Sequence, residues 1–256
     1  MINSSGFTKA IALALALAGV AALVQPEAQA AGSCTAQSAR TATQVVELYT
    51  SEGCNSCPTA DKWLSRLKAD PEVVALAFHV DYWDRLGWKD RFASPAYTQR
   101  QAQQQSSNGA RFSYTPQVVV NGQDRTDWSG IPAPLAARAN AAAPVELTLA
   151  RDGERVTATI APTAGAPKRL AAYWAMTEQN HVSAVKAGEN EGVTLNHDYV
   201  VRDYRQVGAW TAKADAPETL IYELPAATDA AHPRQVNLVV VNADSGRPIQ
   251  ALKIGC

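Results

Sequence analysis

The sequence is short of charge. Only 18% of its 256 residues are Asp, Glu, Lys or Arg, and 23 basic residues nearly balance 24 acidic ones. That balance excludes a broadly basic nucleic-acid binder, which needs cationic surface to neutralise phosphates. With 46% hydrophobic residues, it also excludes a chain kept disordered by low hydrophobicity and high net charge. Several enzyme signatures are missing. The chain has no Gly-x-Ser-x-Gly elbow to present a serine, no glycine-rich loop to cradle phosphate and no His-Glu-x-x-His helix to hold zinc. It has no internal repeat, and its one low-complexity tract is the Ala/Pro-rich stretch 131–144. Beyond the first thirty residues no apolar run is long enough to cross a bilayer.

What is present begins with an export address. Lys9 precedes the apolar run 11–24, which is too short to span a bilayer comfortably, and Pro26, Glu27 and the small-residue pattern Ala28-Gln29-Ala30 follow. This is the pattern of a secretory signal peptide, 1–30, cut after Ala30. A buried helix would carry polar positions at helical spacing, and this run has none. Lipid attachment at Cys34 is disfavoured because the apolar run ends too far upstream. The mature chain is therefore expected to be secreted or periplasmic, where disulfides persist.

After a short N-terminal segment, 31–42, the pattern alternates between strand and helix periods as far as residue 143. Segments 43–50 and 73–80 read as strands, and 58–67 and 94–107 as helices. Segment 117–120 reads as a strand closing on the turn Asn121-Gly122, and 135–143 is helix-prone. From Pro144 onward the pattern shifts to short β runs at 145–150, 156–160, 170–176, 197–203, 220–224 and 236–241, with turn residues such as Asp152-Gly153 between them. Two domains are expected: an α/β domain over 43–143 and a small antiparallel β-sandwich-like domain over 144–256.

Chemistry concentrates at Cys54-Asn55-Ser56-Cys57-Pro58. A strand ending in Tyr49-Thr50 feeds a short loop containing Gly53, and the first cysteine is expected where the next helix begins. Unpaired N–H groups and the positive dipole end stabilise a thiolate there, which makes Cys54 the expected nucleophile. Two intervening residues place Cys57 close enough to close a disulfide or to attack a mixed one, the part of a resolving thiol. Pro58 lacks only an N–H that the first helical turn would leave unpaired.

The run Val46-Glu47-Leu48-Tyr49-Thr50 followed by Gly53-Cys54-x-x-Cys57 resembles the thioredoxin and glutaredoxin superfamily. Over nearly the whole mature chain, the segments Glu47 to Cys54, Phe78-His79-Val80-Asp81-Tyr82-Trp83-Asp84, Gly87-Trp88, Tyr114-Thr115-Pro116-Gln117 and Gly188-Glu189-Asn190 resemble the exported thioredoxin-like family catalogued as domain of unknown function 1223. The resemblance implies an α/β thioredoxin-like N-terminal domain and a cis Thr115-Pro116 peptide beside the dithiol. Pro116 would then belong to the catalytic set, and Thr115 would contact incoming polypeptide. Asn55-Ser56 replaces the usual Gly-Pro pair, and Gly53 stands where an aromatic residue usually precedes the first cysteine.

Around this motif the assignments stay double. Glu47 is the carboxylate available on the active-site strand; beneath the dithiol it would relay the Cys57 proton, and on the other face it would meet solvent. Tyr82, Trp83 and Trp88 follow a strand end, where they either line a substrate groove or cap the core. His79 either joins Cys54 and Cys57 in a soft metal site or is a hydrogen-bonded strand histidine, the reading preferred here. Glu52 and Asp61 are expected in solvent, and Gly188 to Gly192 is either a contact to the first domain or, the reading preferred here, an ordinary turn loop. His181, His197 and His232 form no ligand pattern. Of the three possible pairings of four cysteines, Cys54 with Cys57 is favoured. That leaves Cys34 with Cys256 as a structural disulfide, or one of them as a shuttle thiol.

The expected function is thiol–disulfide exchange on a disulfide-containing protein or small molecule, without a metal or other cofactor, a nucleic-acid partner or a membrane span. The competing expectation is a binding or structural module whose CxxC is an inert disulfide or a copper or zinc clip.

Overall fold

The computed structural model describes residues 1–2, 33–70, 72–131, 142–226 and 229–256. The expected signal peptide and nearly all of the helix-prone stretch 135–143 lie outside them. The N-terminal half runs β1 (Cys34–Gln37), β2 (Gln44–Thr50), α1 (Cys57–Ser65), β3 (Val73–His79), α2 (Pro95–Ser107), β4 (Gln117–Val120) and β5 (Gln123–Asp124). Nine strands follow: β6 (Val145–Asp152), β7 (Arg155–Pro162), β8 (Arg169–Glu178), β9 (His181–Ala184), β10 (Thr194–His197), β11 (Val200–Thr211), β12 (Glu218–Glu223), β13 (Arg234–Asn242) and β14 (Pro248–Ile254). No helix among the described residues is long and apolar enough to cross a membrane.

An eight-stranded mixed sheet in the order β14-β13-β8-β11-β3-β2-β4-β5 carries strands from both sides of Pro144. This corrects the expected fold class. In place of an α/β thioredoxin-like domain followed by a separate small β-sandwich-like domain, the chain is mostly strand, with two α-helices among the described residues. Residues Ala31–Cys256 form one compact unit. The reason lies in β3, whose seven residues Val-Val-Ala-Leu-Ala-Phe-His are all buried. Such a strand cannot leave an edge of unpaired N–H and C=O groups in water. With β2 on one side, its other edge takes the start of β11 in parallel, Val200 opposite Ala77, and the Ala77 N–H donates to the Tyr199 carbonyl at 2.8 Å.

The joined sheet is covered on both faces. The side chains of Val46 and Leu48 lie on one face with Ala60, Trp63 and Leu64 of α1. Val45 and Tyr49 point to the other, where Phe78 of β3, Tyr97 of α2 and Tyr173 of β8 gather. The four-stranded sheet β1-β6-β7-β12 closes a second core against β8 and β13 around Leu147, Ile160, Trp174, Tyr222 and Leu238. Strand alternation thus sorts odd and even positions of β2 onto different partners.

The expected strand 197–203 divides in two. His197 ends β10, which pairs with β9, and Tyr199 takes a left-handed φ of 57° before β11 starts. Strands β1, β5, β9 and β14, and β10 apart from His197, match no expected strand. They are short, or mix polar and apolar residues without a clean period of two.

Candidate functional site

The turn after β2 carries the dithiol. Ser51 opens it: its Oγ accepts from the Gly53 N–H at 3.1 Å, and its carbonyl accepts from the Cys54 N–H at 3.2 Å. Cys54 and Cys57 are joined in a disulfide with their Cα atoms 5.4 Å apart. Helix α1 starts at Cys57 with Ser56 as N-cap, so Cys54 precedes the helix rather than opening it. Asn55 and Ser56 are exposed, while Cys54 is 1% and Cys57 0% exposed. The bridge therefore lies just under a solvent-facing turn. The second disulfide joins Cys34 to Cys256 across 222 residues of sequence.

The aromatic segment after β3 packs onto this turn, with Tyr82, Trp83 and Trp88 each half-buried. Trp83 Nε1 donates to Thr115 Oγ1 at 2.8 Å, and Trp88 Nε1 donates to Glu52 Oε2 at 2.7 Å. Tyr82 is half-buried beside them. A Cβ on Gly53 would lie 3.1 Å from the Trp83 Cβ, so Trp83 occupies the space that a larger residue before Cys54 would need. The Thr115-Pro116 peptide leading into β4 is cis.

A strap from the distant half of the chain closes the site. Asn190, buried between the left-handed Gly188 and Gly192, donates through Nδ2 to the carbonyls of Glu52 at 2.8 Å and Cys54 at 3.0 Å. Glu189 Oε2 accepts from the Asn55 N–H at 3.1 Å. Segment 188–192 is therefore a clamp on the CxxC loop rather than an ordinary turn. Replacing Asn190 with alanine leaves two buried carbonyls short of a donor, which costs about 1–3 kcal/mol. Asn190→Ala is expected to accelerate reduction of the Cys54–Cys57 bridge by dithiothreitol several-fold, read by alkylation and mass; an unchanged rate would sink the clamp.

Glu47 does not face the dithiol. It belongs to the odd face of β2 under α2, where Arg100 Nη2 reaches Oε1 at 2.7 Å and the Tyr173 hydroxyl donates to the same oxygen at 2.6 Å. Tyr49 and Gln104 donate to Oε2. Burial alone would raise its pKa, but the Arg100 charge and these hydrogen bonds outweigh burial and hold it below the ordinary 4.5. Both oxygens are engaged on the face opposite α1, so the expected relay to Cys57 is corrected: Glu47 is a structural anion.

The charged groups on the dithiol side are others. Glu52 and Asp61, expected in solvent, are buried at 0% and 6% exposure. His197, which had no local signal in sequence, comes between them, with Nε2 3.4 Å from Glu52 Oε1 and Nδ1 3.8 Å from Asp61 Oδ1. Burial pushes the imidazolium down, yet the neighbouring Asp61 and Glu52 carboxylates outweigh it and lift His197 to about 9. Asp61 Oδ2 accepts from the Thr50 hydroxyl at 3.0 Å. His79, fully buried at the end of β3, contacts Asp90 Oδ2 through Nδ1 at 2.7 Å, and its ring lies 5.0 Å from that of His197. It pairs with carboxylate, not with the cysteines.

The family described as "Protein of unknown function (DUF1223)" matches residues 45–242, a span that includes the dithiol, the clamp and His197. Among solved structures, a protein of Agrobacterium tumefaciens is 29% identical, with a TM-score of 0.63 over 84% of this chain and 94% of that one. HBP35 of Porphyromonas gingivalis is 15% identical, with a TM-score of 0.60 over 85% of this chain and 76% of its own; at that identity the likeness concerns the fold alone. No curated protein matches the chain.

Proposed function

We propose that this chain, which belongs to the DUF1223 family of proteins of unknown function, is an exported thiol–disulfide exchange protein of the thioredoxin and glutaredoxin kind, working through Cys54 and Cys57. The observation that carries the reading is the Cys54–Cys57 bridge at the head of α1 beneath the exposed Asn55-Ser56 turn. Two disulfides in one chain fit an oxidising compartment, in keeping with the export address at 1–30.

In the reduced state, the Cys54 thiolate attacks one sulfur of a substrate disulfide and expels the other as a thiolate. Cys57 then loses its proton to solvent and attacks the Cys54 sulfur in the mixed disulfide, which releases the second substrate thiolate. Two electrons pass from the dithiol to the substrate, and the Cys54–Cys57 bridge closes. Run backwards, the same steps oxidise a substrate dithiol. Exchange requires the Glu189-Asn190 clamp to yield first, since Cys54 is 1% exposed.

That low exposure favours a second reading, in which the bridge is a permanent structural disulfide. Equilibration across a thiol redox series, followed by alkylation and mass analysis of the Cys54–Cys57 peptide, separates the two. A midpoint between about −120 and −270 mV is the expected result for an exchange protein; a pair still oxidised below about −300 mV would make the bridge structural.

A further inference from the structure

We infer that Asp61, His79 and His197 form a binding site for a single divalent transition-metal ion, with zinc the best fit to their chemistry, buried on the α1 side of the sheet near the dithiol. One donor atom from each of the three lies within 4.8 Å of the others. Imidazole and carboxylate are the ligand types of zinc sites, and ligands at about 2.0 Å from zinc in a tetrahedron stand roughly 3.3 Å apart. A contraction of up to about 1.5 Å in the widest pair therefore closes the set.

The far sides of the three ligands carry the argument. The Asp90 carboxylate accepts from the backbone N–H groups of Glu52 and Phe92, both at 2.9 Å, so it acts as an acceptor toward His79 as well. The His79 proton then sits on Nδ1, and Nε2 presents a lone pair. That Nε2 is fully buried and has no hydrogen-bond partner among the described residues. His197 repeats the arrangement in mirror order: Nε2 faces the Glu52 carboxylate, and Nδ1 faces Asp61. Neither of its ring nitrogens makes a hydrogen bond of good geometry, and Glu52 Oε1 likewise has none among the described residues. Asp61 is oriented by Thr50 on Oδ2, and its Oδ1 faces His197.

His79 is thus held from behind by Asp90 and Asp61 by Thr50, while the Glu52 carboxylate lies 3.4 Å behind His197. Metal-binding histidines commonly donate their second N–H to a carboxylate in this way. Buried polar atoms without partners are rare in folded proteins and call for an ion, a water or a function. Access is available, because Asp61 and His197 line a cavity of about 50 Å³ together with Pro58 and Lys62.

The site is independent of the exchange chemistry, and its test uses protein with both disulfides closed, so that no thiolate is present to bind metal. The mature oxidised chain, stripped with chelator, is titrated with zinc by calorimetry and with cobalt(II) by visible absorption. One zinc per chain is expected, with cobalt d–d bands and no thiolate charge-transfer band. His79→Ala and His197→Ala should each weaken zinc binding by more than about 100-fold, and Asp90→Asn, which removes only the support behind His79, by about 10–100-fold. The wild-type cobalt spectrum serves if an alanine variant fails to fold. Absence of binding would overturn the site. So would binding undiminished in the His79 and His197 variants, which would place the ion elsewhere, such as the stacked His181 and His232 rings. A thiolate band would overturn it as well. None of these results bears on the redox midpoint.

Discussion

Arg100→Met is expected to lower stability at neutral pH by about 3–5 kcal/mol, because it strands the buried Glu47 carboxylate without its cation. Glu47 is 2% exposed and the Arg100 side chain 10%, so water offers little compensation. Arg100 also lies over the Tyr173 ring, 4.7 Å from its centroid, a contact that methionine does not replace electrostatically. Urea unfolding at pH 7 measures the loss, and the melting temperature should fall by roughly 10 °C. Glu47→Gln combined with Arg100→Met should recover most of it, since the amide removes the stranded charge and still accepts from Tyr173. A single variant that loses less than about 1 kcal/mol would mean that the tyrosines and Gln104 suffice to hold the anion.

The pH dependence supplies an independent sign. In the native protein Glu47 is held below its ordinary 4.5. Its contribution is therefore complete above that value and is lost as pH falls through the lower folded-state pKa. In Arg100→Met burial prevails and raises the Glu47 pKa, so the penalty is full at neutral pH and shrinks as acid protonates the carboxyl. The stability gap between native protein and variant should therefore narrow on acidification. A gap that widens would contradict the assignment.

Removing the Cys34–Cys256 bridge by the double change Cys34→Ser, Cys256→Ser is expected to cost about 2–5 kcal/mol. The bridge spans 222 residues, and the chain-entropy relation makes long loops the most costly to release, on the order of 5 kcal/mol as an upper value. For the three-residue spacing of Cys54 and Cys57 the same relation gives only about 2 kcal/mol, so the two bridges should differ clearly in equilibrium unfolding. The serine variant should still fold. β1 keeps its register on β6, from Cys34 opposite Arg151 to Gln37 opposite Thr148, and β14 keeps its ladder to β13. A loss under about 1 kcal/mol would show that these ladders already hold the ends, or that the unfolded chain is too compact to gain much entropy from release.

Much of the local structure was legible from short-range patterns. The apolar run of β3, the Ser94-Pro95 start of α2 and the Asn121-Gly122 turn each announce themselves within a few residues, because hydrophobic period, capping and turn chemistry are local. The Ser94 Oγ does accept from the Ala96 N–H. The dithiol was legible for the same reason. The clamp and the histidine pair were not, since Asn190 reaches Cys54 over 136 positions and His197 reaches Glu52 from the far half of the chain. Their only local trace was an asparagine between glycines and a histidine with no neighbouring ligand pattern.

The fold class failed for a related reason. The expectation of separate α/β and β-sandwich-like domains rested on a change of period at Pro144, and a change of period does not say whether two sets of strands share one sheet. Sequence by itself located β2, β3, β4 and the two helices and placed a CxxC at the junction of β2 and α1. Tertiary structure alone decided that β11 completes the edge of β3, that Glu47 turns toward Arg100 rather than the dithiol, and that Asp61, His79 and His197 converge. Strand alternation specifies two faces but not what covers them, and a buried polar group takes its partner from whichever segment the sheet brings alongside.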